Sequence, residues 1–190
     1  ARPGTVGLPC PGTIVEIVDL ETGTRVLPPG EKGEICVRGP QLNMGYWKRP
    51  DATAAAFAGG RFHTGDIGVL DADGFLTLVD RKKDMILAGG FNVFPRVIEE
   101  AIYEHPAVAE VTVIGVPDSY RGEAAKAFIV LKQGGHLDFD ELKTFLRDKL
   151  GRHEMPAEME LRESLPKTAV GKLSKKELIA EERAKRGLPT

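Results

Sequence analysis

Asp80-Arg81-Lys82-Lys83-Asp84-Met85-Ile86-Leu87-Ala88-Gly89-Gly90-Phe91-Asn92-Val93-Phe94-Pro95 divides the chain into two textures. Five charged residues come first. Met85-Ile86-Leu87 follows as a short strand, and the glycine pair ends it. Pro95 opens a helix, because its fixed φ suits the first helical turn and its missing N–H would have no partner there anyway. Val97, Ile98, Ala101 and Ile102 share one face of that helix. Downstream, Val108 to Val116 and Ala124 to Leu131 are strands, and Asp138 or Asp140 can cap a helix with Leu142, Phe145, Leu146 and Leu150 along one side. Met159 and Leu161 suggest a further strand. Ser174-Lys175-Lys176-Glu177 predicts a capping box, in which Ser174 and Glu177 each satisfy an N–H at a helix start. The order β-α-β-β-α-β-α predicts a small α+β domain over 83–190, with a central sheet flanked by helices.

Upstream of the charged cluster the pattern is short antiparallel strands. Ile14 to Val18 and Glu34 to Arg38 are separated by turn signals at Glu21-Thr22-Gly23-Thr24 and Pro28-Pro29-Gly30. Val69-Leu70, Asp71-Ala72-Asp73-Gly74 and Phe75 to Val79 form a hairpin with Asp-Gly in its loop. Asp51 to Phe57 is a short helix behind Pro50. Residues 1–82 are therefore expected to form a β-rich, barrel-like subdomain, and the fold class of the whole is α+β.

Of the 190 residues, 26 are Lys or Arg and 28 are Asp or Glu, a net charge of −2. This balance gives no reason to expect nucleic acid or an anionic membrane as partner. No apolar run approaches the ~20 residues of a membrane-spanning helix, and the N-terminus carries no signal-peptide pattern. The chain opens on Ala1-Arg2-Pro3-Gly4 without a methionine, so a piece of a longer protein is expected. Cys10 and Cys36 are too few for a disulfide framework, and Cys36, between Ile35 and Val37, reads as a half-buried free thiol in a reducing, cytoplasmic setting. The histidines show no metal-ligand spacing, so no metal site is expected.

One lysine stands out near the end, in Pro166-Lys167-Thr168-Ala169-Val170-Gly171-Lys172-Leu173-Ser174. Lys172 follows a glycine and precedes a helix start. A compact positive charge on a long stem is thus tethered by a short bendable stretch to a solid element. Three other segments accompany it: Gly45-Tyr46-Trp47-Lys48-Arg49-Pro50-Asp51, Phe62-His63-Thr64-Gly65-Asp66-Ile67-Gly68, and the opening stretch with Glu99-Glu100 behind it.

In this order and at these separations the four segments resemble the C-terminal portion of the acyl-adenylate-forming enzymes (the AMP-dependent synthetases and ligases), which include acyl-CoA synthetases, firefly luciferase and the adenylation domains of peptide synthetases. The look is nearest to bacterial medium- or long-chain fatty acyl-CoA ligases. The resemblance implies that Asp66 accepts the ribose hydroxyls of ATP, a task that suits a carboxylate with several lone pairs. The residue-level alternative is an aspartate capping a turn. Arg81 is implied to contact the ribose and phosphate region; the alternative is a surface ion pair with Asp80 or Asp84. Lys83 takes the hinge position, about which a small domain swings. Gly89, Gly90 and Phe91 are implied to face the pantetheine arm of coenzyme A, or else form a plain bend. Trp47 belongs either to the acyl or pantetheine region or to the core. Lys172 is implied to hold the attacking carboxylate against an α-phosphate oxygen. Glu99 and Glu100, near a helix N-terminus, are assigned no catalysis.

The implied activity is ATP-dependent activation of a carboxylic acid as acyl-AMP and its transfer to coenzyme A. Mg2+ is held mainly by residues upstream. The family's phosphate loop, adenine-stacking segment and acyl pocket match nothing in this sequence, so the chain alone is expected to be inactive. Alternatives are an adenylating enzyme with a carrier-protein thiol as acceptor, and a non-catalytic α+β binding module. Homo-oligomerisation is not readable from the sequence.

Overall fold

Strands β1 (Ile14–Val18), β2 (Lys32–Arg38), β3 (Phe62–Leu70) and β4 (Leu76–Arg81) form an antiparallel sheet in the order β1-β2-β3-β4. The computed structural model describes residues 2–188 and divides the chain into two units, one ending at Lys83 and the other beginning at Asp84. Ile17, Val18, Ile35, Cys36 and Ile67 are the buried apolar residues of the first unit. The β3–β4 hairpin is set by Asp71: its carboxylate accepts the N–H groups of Asp73 and Phe75, each at 2.9 Å. An aspartate that bonds its own following backbone is why Asp-x-Asp-Gly reads as a turn. Helix α1 (Pro50–Ala56) takes in Pro50 as its first residue and ends before Phe57, one residue earlier at each end than expected.

The second unit begins with β5 (Ile86–Ala88) and β6 (Phe91–Val93), followed by α2 (Pro95–Tyr103) and the long hairpin β7 (Val108–Asp118) and β8 (Gly122–Leu131). Then come α3 (Phe139–Leu146), β9 (Glu158–Leu161) and α4 (Lys175–Lys185). The sheet runs β6-β5-β8-β7, and β9 pairs parallel to β8. Both faces are covered. On one, Ile98 and Ile102 of α2 and Leu142 and Leu146 of α3 pack with Val111, Val113, Ala127 and Ile129. On the other, Leu178 of α4 packs with Ile114, Val116, Phe128 and Leu165. Burial on both faces explains why β7 and β8 read as nearly continuous apolar runs. Each fully buried Ile or Leu contributes about 1.5–3 kcal/mol.

Four further local features differ from the sequence reading. The glycine pair joins β5 to a further strand, β6, whose only buried residue is Val93; three residues with one apolar anchor carry no alternation to detect. Thr64-Gly65-Asp66 lies within β3, not in a turn. Leu150 is buried but lies beyond the end of α3. Ser174 is the N-cap of α4 yet makes no side-chain capping bond. Its own N–H is donated to the Pro166 carbonyl at 2.8 Å, so the reciprocal half of the box has no donor left to satisfy. A complete box forms instead at Asp138: its side chain accepts Glu141 N–H at 2.8 Å, and Glu141 takes Asp138 N–H at 3.3 Å. Among the described residues no helix is long and apolar enough to cross a membrane, and no group of His, Cys, Asp and Glu is placed to hold a metal ion.

Candidate functional site

In the first unit, strand register sets Asp66 opposite Arg81. Arg81 Nε donates to Asp66 Oδ1 at 3.1 Å, and both side chains remain open to solvent, 31% for Asp66 and 60% for Arg81. Asp80 instead accepts the backbone N–H of Arg81, at 2.7 Å. Gly65 sits at φ +73°, in the left-handed region that favours glycine, and this turns its N–H inward while Asp66 faces out. Thr64 Oγ1 donates to the Ile35 carbonyl (2.8 Å) and accepts Asp66 N–H (3.1 Å), pinning the strand on the other side. Thr64, Gly65, Arg81, Lys82 and Lys83 line an open cavity of about 370 Å³. Arg81 and Lys83 bring cations to it, and Asp66 adjoins it through its bond to Arg81, a pairing that suits an anionic ligand that also carries hydroxyls.

Behind this edge lies a residue the sequence reading passed over. Glu34 is 3% exposed. Its Oε1 accepts Gly65 N–H at 3.2 Å, and its Oε2 accepts Lys82 Nζ at 2.8 Å and faces His63 Nδ1 at 3.1 Å. Burial pushes the Glu34 carboxyl up. Hydrogen bonds from Lys82 and His63 outweigh this and hold it below the usual glutamate range. The available signal was its neighbourhood: Glu34 adjoins Ile35 and Cys36 in an apolar stretch of β2, and an acid buried there needs partners. Cys36 is itself fully buried, and its thiol is pushed up to about 12, first by burial and then by the Glu34 charge.

Trp47 is 87% exposed, so it anchors no core within this unit. It lies on the loop before α1, next to Lys48, a non-glycine residue at φ +53°. Such a conformation in a non-glycine residue is uncommon and worth noting beside an exposed aromatic.

In the second unit, Gly89 and Gly90 form the β5–β6 turn, and Gly89 N–H donates to the Arg121 carbonyl at 2.8 Å. The Phe91 ring stacks on His153, centroids 4.7 Å apart at 22°. Gly89, Phe91, Tyr120, Arg121, Arg152 and His153 border one cavity of about 310 Å³.

Lys172 lies elsewhere in that unit, on a hairpin between β9 and α4. The stretch expected to be bendable is hydrogen-bonded. Thr168 N–H donates to the Lys172 carbonyl (2.7 Å), Gly171 N–H to the Thr168 carbonyl (2.8 Å), and Lys172 N–H to Thr168 Oγ1 (3.2 Å). Gly171 closes the turn at φ +79°. Each arm is tied down by an ion pair: Lys167 to Glu110, and Lys175 to Glu99 at 3.0 Å. Glu99 also accepts Val113 N–H at 2.8 Å, so it is a brace between α2, β7 and α4. Among the described residues the Lys172 ammonium makes no ion pair, whereas both flanking lysines do. Asp66, Arg81 and Lys83 thus fall together in one unit. Gly89, Gly90 and Phe91 fall together in the other, with Lys172 on a separate hairpin.

An edge that offers a carboxylate beside cations, on an α+β protein, suits an anionic, hydroxyl-bearing ligand. The family model described as AMP-binding enzyme matches residues 1–47, and the one described as AMP-binding enzyme C-terminal domain matches residues 97–172. The chain belongs to the AMP-binding enzyme family. It is 50% identical over 181 residues to the long-chain-fatty-acid–CoA ligase of Bacillus subtilis strain 168, covering 95% of this chain and 32% of that protein. Among solved structures it matches ATP-bound MatB from Rhodopseudomonas palustris at 37% identity and TM-score 0.87, over 95% of this chain and 36% of that one. It also matches the amide bond synthetase McbA from Marinactinospora thermotolerans at 40% identity and TM-score 0.84, over 94% and 36%. The chain therefore spans about a third of the length of the curated relatives it matches.

Proposed function

We propose that this chain serves an AMP-forming acid–thiol ligase acting on long-chain fatty acids, with ATP and coenzyme A as co-substrates. The observation that carries the reading is the cross-strand Asp66–Arg81 pair, whose arginine lines a cationic cavity. In the first half-reaction the substrate carboxylate oxygen attacks the α-phosphorus of ATP, the bond to the bridging oxygen breaks, and pyrophosphate leaves. Two anions must approach, so a preorganised cation and fixed positioning supply the rate. Asp66 holds the ribose hydroxyls, Arg81 the ribose–phosphate region, and Lys172 the incoming carboxylate and an α-phosphate oxygen. In the second, the coenzyme A sulfur attacks the acyl carbon, AMP leaves, and the thiol proton goes to solvent. Gly89, Gly90 and Phe91 border the path of the pantetheine arm, and Arg121 and Arg152 beside them suit an acceptor that carries phosphates.

The relative from Bacillus subtilis suggests the fatty-acid substrate. Residues 1–82 then read as the β-rich end of a large domain and 83–190 as a mobile domain that turns about Lys83, next to the division between the units. The setting proposed is cytoplasmic, on two cysteines that stay unpaired. Magnesium is expected with the phosphates of ATP. No group of His, Cys, Asp and Glu among the described residues is placed to hold it.

The test is Lys172→Ala in the protein that carries this chain. Acyl-AMP formation should fall by about 10²–10³ or more, the range for removing one transition-state donor. Thioester formation from supplied acyl-AMP should change less than about fivefold, since only interactions made in that transition state count. Equal loss of both half-reactions refutes the assignment.

A further inference from the structure

We propose that Glu34 is a positioning residue for nucleotide binding, holding both the Thr64-Gly65-Asp66 strand and Lys82 from one buried carboxylate; the inference rests on the reading of Asp66 and Arg81 as the ribose contacts. Glu34 stands on β2 opposite Ile67, the residue after Asp66. One of its oxygens takes the peptide N–H that precedes Asp66, and the other takes the ammonium of the residue between Arg81 and Lys83. The same carboxylate therefore fixes the two backbone segments from which Asp66 and Arg81 project.

The strand register supports this. Pairing slips between Glu34 and Cys36 against β3, and again between Ile67 and Gly68 against β4. Bulges leave a backbone group outside the ladder and re-aim side chains, and they are frequent beside active sites. Here the two slips flank the Glu34–Ile67 step. Gly65 N–H leaves the ladder and finds Glu34, and Asp66 is left facing Arg81. A carboxylate with only 4% of its side chain exposed needs its lone pairs filled, and every partner it has belongs to the nucleotide edge or abuts it. His63, bonded to Glu34 through Nδ1 and to the Ala58 carbonyl through Nε2 (3.2 Å), walls the far side. A purely core-stabilising Glu34 would be bonded to the core instead.

The experiment measures AMP affinity by calorimetry on the protein that carries this chain. Variants are Glu34→Gln, which keeps the volume and an acceptor for Gly65 but loses the charge, Lys82→Met, both together, and Asp66→Ala as control. Glu34→Gln and Lys82→Met should each weaken AMP binding about tenfold and leave the KM for the acid unchanged. The double variant should bind no more weakly than Glu34→Gln alone, because the two changes remove one shared interaction. Lys82 is partly exposed, so Lys82→Met decides the matter if Glu34→Gln does not fold. The proposal is overturned if AMP affinity stays within twofold while Asp66→Ala weakens it, or if acid KM rises in step with AMP affinity loss. If Asp66→Ala also leaves AMP binding unchanged, the ribose reading itself falls, and this inference with it.

Discussion

Lys126→Met tests the electrostatic knot that holds α4, and with it the hairpin of Lys172. Lys126 lies in β8 and is 7% exposed. Its ammonium meets Glu160 of β9 at 2.8 Å and Glu182 of α4 at 3.0 Å, with Glu158 at 3.6 Å, and lies 4.9 Å from the Phe128 ring centroid. Breaking a buried ion pair from one side costs roughly 3–5 kcal/mol when the partner is left alone. Here neither carboxylate is left alone: Glu182 keeps Lys185 at 3.0 Å and Arg186 at 3.5 Å, and Glu160 keeps Lys185 at 3.2 Å and Arg162 at 2.6 Å. Methionine retains most of the buried stem. The expected loss is therefore below that range, about 1–3 kcal/mol, comparable to one charged hydrogen bond. The sign with pH follows from Glu160, for which burial raises the pKa but hydrogen bonds from Lys126 and Lys185 outweigh it and bring it to about 2. A carboxylate depressed in the folded state contributes stability above its unfolded value, near 4, and loses it as pH falls through the folded value. The stability difference between parent and Lys126→Met should thus be full at pH 7 and shrink from about pH 4 toward pH 2. Urea unfolding by circular dichroism, with amide exchange of β9 and α4 reporting the second unit by itself, gives both readings. A difference that is unchanged at pH 3, or a loss above 4 kcal/mol, refutes this account of shared partners.

Two further predictions concern single positions. With iodoacetamide at pH 8, exposed Cys10 should be alkylated at least tenfold faster than Cys36, whose thiol is buried and pushed up to about 12; similar rates from mass spectrometry would contradict this. Gly171→Ala meets no atom within 4 Å but must adopt φ +79°, so strain of about 1–2 kcal/mol should fall on the hairpin alone. Acyl-AMP formation should drop more than thioester formation from supplied acyl-AMP, and an unaltered first half-reaction would count against a rigid hairpin.

What could be read from the sequence was whatever local pattern decides. Val108 to Val116, Ala124 to Leu131 and the Ile98–Ala101–Ile102 face announce themselves through runs and periodicity, and the structure places them in the two cores that cover the faces of one sheet. Candidate residues in order along the chain were also legible, because a motif is a local string. Long-range polar pairing was not. Glu34 reaches Gly65 and Lys82, and Lys126 reaches Glu160 and Glu182, across separations that no helical or strand period encodes. Ser174 misled for the same reason: a distant carbonyl, Pro166, claimed the N–H that the local box required. Each hidden residue is a charge on a strand position whose neighbours are buried, Glu34 beside Ile35 and Cys36, Lys126 between Ala125 and Ala127. Such a charge is unstable without partners, so its presence in an apolar strand already says that partners converge there. In both units the convergence stands behind the motif rather than in it: Glu34 behind Asp66 and Arg81, Lys126 behind the helix that follows Lys172. The exposed residues meet the ligand, and the buried charges hold in place the backbone from which those residues project.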